Sequence, residues 1–129
     1  MSQTIIDLNQ KLLDSIAGND YELYTTLVDS SITCFEPEAG EHLVAGKDFH
    51  KFFFDITAQP PAFHRTTMVN PVVTFLGPDA AMITYVRIVQ KVATPGGALT
   101  ISRSSETRIW KRDAEKSWKH IHFHRSLVN

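Results

Sequence analysis

Trp118-Lys119-His120-Ile121-His122-Phe123-His124-Arg125-Ser126, near the C-terminus, decides how the chain is read. Successive side chains of a strand point to opposite faces, so His120, His122 and His124 are expected on one face and Ile121, Phe123 and Arg125 on the other. A guanidinium that follows two apolar side chains on one face must meet an anion or reach water. Two earlier apolar runs carry the same anomaly: Arg87 within Ala80 to Val92, and Arg108 within Ala98 to Trp110.

Working outward, Pro95-Gly96-Gly97 turns the first of these runs into the second, and Lys111 to Lys116 turns the second into the last strand. Hairpin partners share a face, so four-residue loops would pair Arg87 with Ser104, Arg108 with Lys119 and Arg125 with Ser102. All three arginines then share a face with Ile83, Tyr85, Val89, Glu106, Trp110, Ile121 and Phe123. Arg87 and Arg125 would lie about two residues apart in strand level, roughly 7 Å, which long side chains close easily. One bulge would scatter the set. Each arginine taken singly fits a local pair with a carboxylate such as Glu106. Three together repel one another unless an anion enters or part of the site stays wet, which points to a site for a small carboxylate or other anion.

Upstream, Ile5, Leu8, Leu12 and Ile16 recur at helical spacing between Thr4 and Ala17, with Thr4 and Asp7 as start signals and Gly18 as a stop. Asn19 and Glu22 predict a capping box for a short helix carrying Leu23, Leu27 and Val28 and ending near Asp29. Ser31 to Phe35 reads as a strand, broken by Glu36-Pro37-Glu38-Ala39-Gly40. Phe49, Phe52, Phe53 and Ile56 give a third helix after Gly46 an aromatic face that needs covering. Beyond Gln59-Pro60-Pro61-Ala62 everything reads as sheet: His64 to Val69, Val72 to Leu76, a Gly77-Pro78-Asp79 turn, and the long strands already described. Helices first and antiparallel strands afterwards make an α+β fold, expected as a single domain over residues 1–129.

The 129 residues carry 13 Lys and Arg against 14 Asp and Glu, for a net charge of −1. Without a basic stripe, nucleic acid is not the expected partner. The single Cys34 excludes an internal disulfide and a cysteine-based zinc cluster, and is expected to be a small buried hydrophobe. With no positive n-region and no membrane-length apolar run, the expected location is the cytoplasm and no membrane is expected as partner.

The chain also resembles the association, or hub, domain of calcium/calmodulin-dependent protein kinase II, within the nuclear transport factor 2-like superfamily. The resemblance rests on Asn19-Asp20-Tyr21-Glu22, Phe35-Glu36-Pro37-Glu38-Ala39, Leu43-Val44 with Gly46, and Asp48-Phe49-His50. It continues through Thr66-Thr67, Asn70-Pro71, Tyr85 to Arg87, Ser105-Glu106-Thr107-Arg108 with Trp110, and His122-Phe123-His124-Arg125-Ser126. It implies a strongly curved antiparallel sheet wrapped around the long N-terminal helix as a cone. It also implies a homo-oligomer of dimers assembled into a ring, with kinase-type hub subunits as further partners. A deep cavity lined by arginines is implied too, matching Arg87, Arg108 and Arg125. The family's cavity histidine directly precedes its paired threonines, whereas here His64 is followed by Arg65, so either residue can take that place. No glycine-rich phosphate loop and no His-Arg-Asp loop occurs, so the chain is read as a free-standing relative or as the hub of a longer protein.

Three other chemistries compete with this reading. His120, His122 and His124 share a face, but a spacing of roughly 7 Å is wide for one metal ion, so neither metal nor cofactor is expected. An isomerase or cyclase of the ketosteroid isomerase or polyketide cyclase type would use Tyr85 as donor and Glu106 or His64 as base. Glu106 between arginines would keep its charge and serve poorly. Glu36 and Glu38, flanking Pro37, are read as a solvated turn.

Overall fold

The computed structural model describes residues 1–40, 42–57 and 59–128. The apolar spacing near the N-terminus produces helix α1 (Ser2–Ala17), which buries Ile5, Leu12 and Leu13 completely and Asn9 with them. Thr4 and Asp7 do not cap it: the helix starts earlier and has no side-chain cap. At its other end the Gly18 N–H donates to the Asp14 carbonyl, and the left-handed residue is Asn19, at φ 56°. Glycine suits position 18 because a Cβ there would stand 2.9 Å from His64 Nε2 and 3.0 Å from the Asp14 carbonyl, so a larger residue would push the His64 ring away.

Helix α2 (Tyr21–Leu27) is capped one residue later than the sequence suggested, by Asp20, whose carboxylate accepts the Leu23 N–H at 3.1 Å. It also ends earlier, because Val28 already belongs to strand β1 (Val28–Phe35). β-Branching and burial of Val28 favour the extended form there. A short strand β2 (Val44–Ala45) and helix α3 (Asp48–Ile56) follow. The aromatic face expected of α3 is the exposed one, with Phe52 and Ile56 in solvent and Phe53 partly turned to the cavity described below. Its packed face is built instead from His50 and from Phe54, whose ring meets Tyr21 and Tyr24 at 5.2 and 4.9 Å.

Strands β3 (Phe63–Gly77), β4 (Ala80–Val92), β5 (Leu99–Arg112) and β6 (Trp118–Leu127) complete one six-stranded sheet in the order β2-β1-β6-β5-β4-β3. The sheet is antiparallel except that β1 runs parallel to β6. The two segments expected on either side of Asn70-Pro71 are one strand with a bulge: Asn70, at φ 51°, and Pro71 together occupy the place opposite Tyr85. Proline lacks a donor, so a bulge on an edge strand is where the ladder tolerates it.

The register decides the site. Arg87 pairs with Ser104 as expected. The next turn spans five residues instead of four, since Arg112 pairs with Trp118, and this alone would turn β6 over. A bulge at Ile121 turns it back. Arg108 therefore lies opposite Phe123 rather than Lys119, and Arg125 opposite Glu106 rather than Ser102, yet all stay on the inner face. The same bulge moves His120 inward beside Trp110, leaving His122 and His124 outside, so the expected three-histidine face does not exist.

The core lies between α1 and the concave sheet, where Trp110 Nε1 donates to Asn9 Oδ1 at 3.0 Å. Asn9→Ala is expected to strand that indole N–H and open a small void, costing about 2–4 kcal/mol. Urea titration should show a lowered midpoint at unchanged slope.

Candidate functional site

Alternation along β4 and β5 sends Tyr85, Arg87, Ser104, Glu106 and Arg108 to the concave face, where all are buried. Glu106 is the hub of their contacts. Arg108 donates to Glu106 Oε1 from Nε at 3.0 Å and from Nη2 at 2.9 Å. The Tyr85 hydroxyl donates to the same oxygen at 2.7 Å and accepts from Arg108 Nε at 2.9 Å. Ser104 donates to Oε2 at 2.7 Å, and Arg87 Nη1 stands 3.5 Å from that oxygen. Burial alone would raise the Glu106 pKa, but Arg108, Arg87 and the two hydroxyl donors outweigh it and hold it at about 2. A carboxylate so stabilised is a poor proton acceptor.

Arg108, 1% exposed, lies over the Phe123 ring at 4.3 Å and faces His120 Nε2 at 3.5 Å. A guanidinium only donates, so His120 Nε2 is the acceptor and the proton sits on Nδ1. Burial and then Arg108 push the His120 pKa well down, keeping the ring neutral. Arg125 points into the same space from β6. Its Nη2 contacts Glu38 and its Nε stands 3.9 Å from Glu36. The solvated turn expected here holds for Glu38, which is exposed at the cavity mouth, but not for Glu36, which lines the cavity with a side chain only 9% exposed.

The cavity holds about 280 Å³. Arg87, Lys91, Arg108 and Arg125 bring four cationic side chains to its wall, against Glu36 and Glu38 in the wall and Glu106 beneath it. Tyr24, Phe53, Phe54 and Phe123 supply its apolar side. Arg87 Nε is buried with no partner among the described residues. Burial, offset partly by Glu106, lowers the Arg87 pKa, and burial followed by the Arg87 charge lowers that of Lys91.

Of the residues singled out in the sequence, Arg87, Arg108 and Arg125 line the cavity, while Tyr85 and Glu106 lie under it as support. His64 pairs with Lys91 on the inner face but packs against the end of α1, with Nδ1 unpartnered among the described residues. Arg65 pairs with Gln90, is exposed and faces outward. One group on the far wall has no local signal in the sequence: Cys34 Sγ lies 3.6 Å from His50 Nε2, and His50 Nδ1 lies 3.7 Å from Glu36 Oε1. Cys34 is buried as expected. Burial pushes the Cys34 pKa up to about 12, the His50 pKa down to about 4 and the Glu36 pKa up to about 7.

Glu106→Gln should leave Arg108 buried without its counter-charge and cost about 3–5 kcal/mol. The folded-state Glu106 pKa lies below its ordinary value of 4.5. Its stabilisation is therefore present above pH 4.5 and lost as pH falls toward 2. Denaturant titrations across that window should give a shallower pH dependence for the variant than for the parent.

No helix among the described residues is long and apolar enough to cross a membrane. Solved structures at low identity share the fold: a nuclear transport factor 2-like superfamily protein from Salmonella enterica (17% identical, TM-score 0.78, covering 98% of this chain and 90% of that one) and a ketosteroid isomerase-like protein from Parabacteroides distasonis (22%, 0.71, covering 97% and 86%). Nearer relatives align over almost the whole chain. The Chlamydomonas reinhardtii hub homology domain is 42% identical at a TM-score of 0.86, covering 99% of this chain and 98% of that one. The association domain of the C. elegans kinase is 41% identical at the same TM-score, covering 97% and 94%. The Drosophila melanogaster calcium/calmodulin-dependent protein kinase type II alpha chain is 44% identical over 126 residues, which are 96% of this chain and 23% of the kinase. The family described as the calcium/calmodulin-dependent protein kinase II association domain matches residues 1–129, and the chain belongs to it.

Proposed function

We propose that the chain is an oligomerisation module that builds a closed assembly of its own copies and holds a small anion in the arginine-lined cavity. The observation that carries the first part is the association-domain match over residues 1–129. The surface supports it. Val69, Val72 and Ile101 on the convex face of the sheet, and Phe52 and Ile56 on α3, are apolar and exposed. Symmetric association covers such patches with the same patches on another copy. Native mass spectrometry at micromolar concentration should find a closed species larger than a dimer, built from dimers; a monomer or simple dimer as the largest species would overturn the assignment.

The anion reading rests on the excess of cations in the cavity wall and on the unpartnered Arg87 Nε. Glu106 serves Arg108 at hydrogen-bond distance and Arg87 only at 3.5 Å, so Arg87 has donors to spare for a ligand. A small carboxylate that binds only the folded protein should stabilise it by about 2.7 kcal/mol at 100 times its dissociation constant. Arg87→Gln should weaken that binding at least about tenfold, through loss of a charge-assisted contact. The same variant without ligand should stay within about 1 kcal/mol of the parent, because a buried cation near Arg108 has gone while Glu106 keeps its main partner. Thermal melts with and without a panel of carboxylates test this. No carboxylate-dependent shift in the parent, together with a destabilised variant, would make the arginines a purely structural ion network.

A further inference from the structure

We propose that Cys34, Glu36 and His50 form a three-ligand zinc site whose fourth coordination position opens onto the cavity. Cys34 lies on the inner face of β1, Glu36 follows two residues later, and His50 is the packed residue in the first turn of α3. One donor atom from each lies within 4.8 Å of the other two. The Sγ to Nε2 separation is 3.6 Å. Zinc bonds of about 2.3 Å to sulfur and 2.0 Å to nitrogen, opened to the tetrahedral angle, require an edge of about 3.5 Å between those two atoms. One edge of the coordination polyhedron is therefore already in place. Glu36 Oε1 lies 3.7 Å from the other ring nitrogen, Nδ1, so the carboxylate has to swing round to Nε2 and close to the edge of about 3.3 Å that oxygen and nitrogen ligands share.

The second observation is the state of Glu36 itself. Its side chain is 9% exposed, and the neutral His50 ring, with Nδ1 at 3.7 Å, and the Arg125 guanidinium, with Nε at 3.9 Å, both stand beyond hydrogen-bond distance. No described donor satisfies it. A carboxylate withdrawn from water and left without a hydrogen bond is costly, and coordination of a cation is one of the few arrangements that removes the cost. The donor set selects the ion: thiolate and imidazole favour zinc over magnesium or calcium, and three protein ligands with an open position are the pattern of reactive zinc sites. The charges also balance. A Cys34 thiolate and the Glu36 carboxylate neutralise a dication, while Arg108 keeps Glu106 and Arg125 keeps Glu38. On binding, the thiol proton leaves to solvent.

The purified chain, stripped by chelator and dialysed in a zinc-buffered solution, should retain one zinc per polypeptide. Cobalt(II) in its place should give a near-ultraviolet sulfur-to-metal charge-transfer band and intense tetrahedral bands in the visible. Cys34→Ala should abolish the charge-transfer band. His50→Gln should weaken zinc binding by more than the roughly 100-fold that loss of an outer-sphere partner can cost. Because position 34 is fully buried, circular dichroism and a thermal melt establish that the alanine variant is folded. Should it not fold, Glu36→Gln, which keeps the thiol, must retain the sulfur band while binding at least about 100-fold more weakly. Failure to retain zinc, retention undiminished in folded Cys34→Ala, undiminished affinity in Glu36→Gln, or a cobalt complex without the sulfur band, as exposed histidines would give, overturns the site.

Discussion

The Glu106 carboxylate is the charge on which the interior depends. Two guanidiniums are withdrawn from water on the concave face, and an isolated ion in such a place would carry a desolvation penalty of several kcal/mol. Glu106 answers both, and its remaining capacity is filled by Tyr85 and Ser104. Because Tyr85 and Arg87 sit on β4, Glu106 and Arg108 on β5, and the Phe123 and His120 rings under Arg108 on β6, one charge ties three strands together. The neutral tautomer of His120 belongs to the same arrangement, since a second cation beside Arg108 has no counter-charge available.

The arginines differ in how far they commit to internal partners. Arg108 is enclosed and fully engaged. Arg87 is 7% exposed with a long contact to Glu106, and the Arg125 side chain is 15% exposed and leans on Glu36 and Glu38 at the cavity wall. The network therefore grades from a dry, structural end to a wetter, adaptable one. The two glutamates come from the turn after β1, so this wall of the cavity is carried by a different part of the chain from the floor beneath it.

How much of this was legible in the sequence depended on whether local rules sufficed. The β4–β5 hairpin and the placement of Arg87 followed from strand alternation and an even loop. The shared face of Arg108 and Arg125 survived because two departures cancelled, the five-residue turn and the bulge at Ile121. The turn had a readable signal: Asp113 accepts the backbone N–H groups of Glu115 and Ser117, the local habit of aspartate in turns. The bulge had none, since neither glycine nor proline marks it. It reflects tertiary packing that seats His120 against Trp110. The α3 face was misjudged because periodicity shows that an aromatic stripe exists and not whether the same chain covers it. The grouping of Cys34, Glu36 and His50 was invisible for a related reason: it exists only where β1 and α3 come together.

The parallel pairing of β1 with β6 bears on how the molecule is made. Thr33 and His122, joined side chain to side chain at 2.7 Å, are 89 positions apart, while β3, β4, β5 and β6 are joined successively by short turns. Contacts of low sequence separation close before those that must tie off a long loop. The four-stranded meander, with the Glu106 ion cluster inside it, can assemble as a local unit, whereas β1 has only the two-residue strand β2 beside it until β6 is in place. During synthesis the β6 side of β1 stays open until β6 has emerged. The wall bearing Glu36 and Glu38 is then the last part of the cavity to be built, and a chain arrested before β6 would hold the arginine floor of β4 and β5 without that wall.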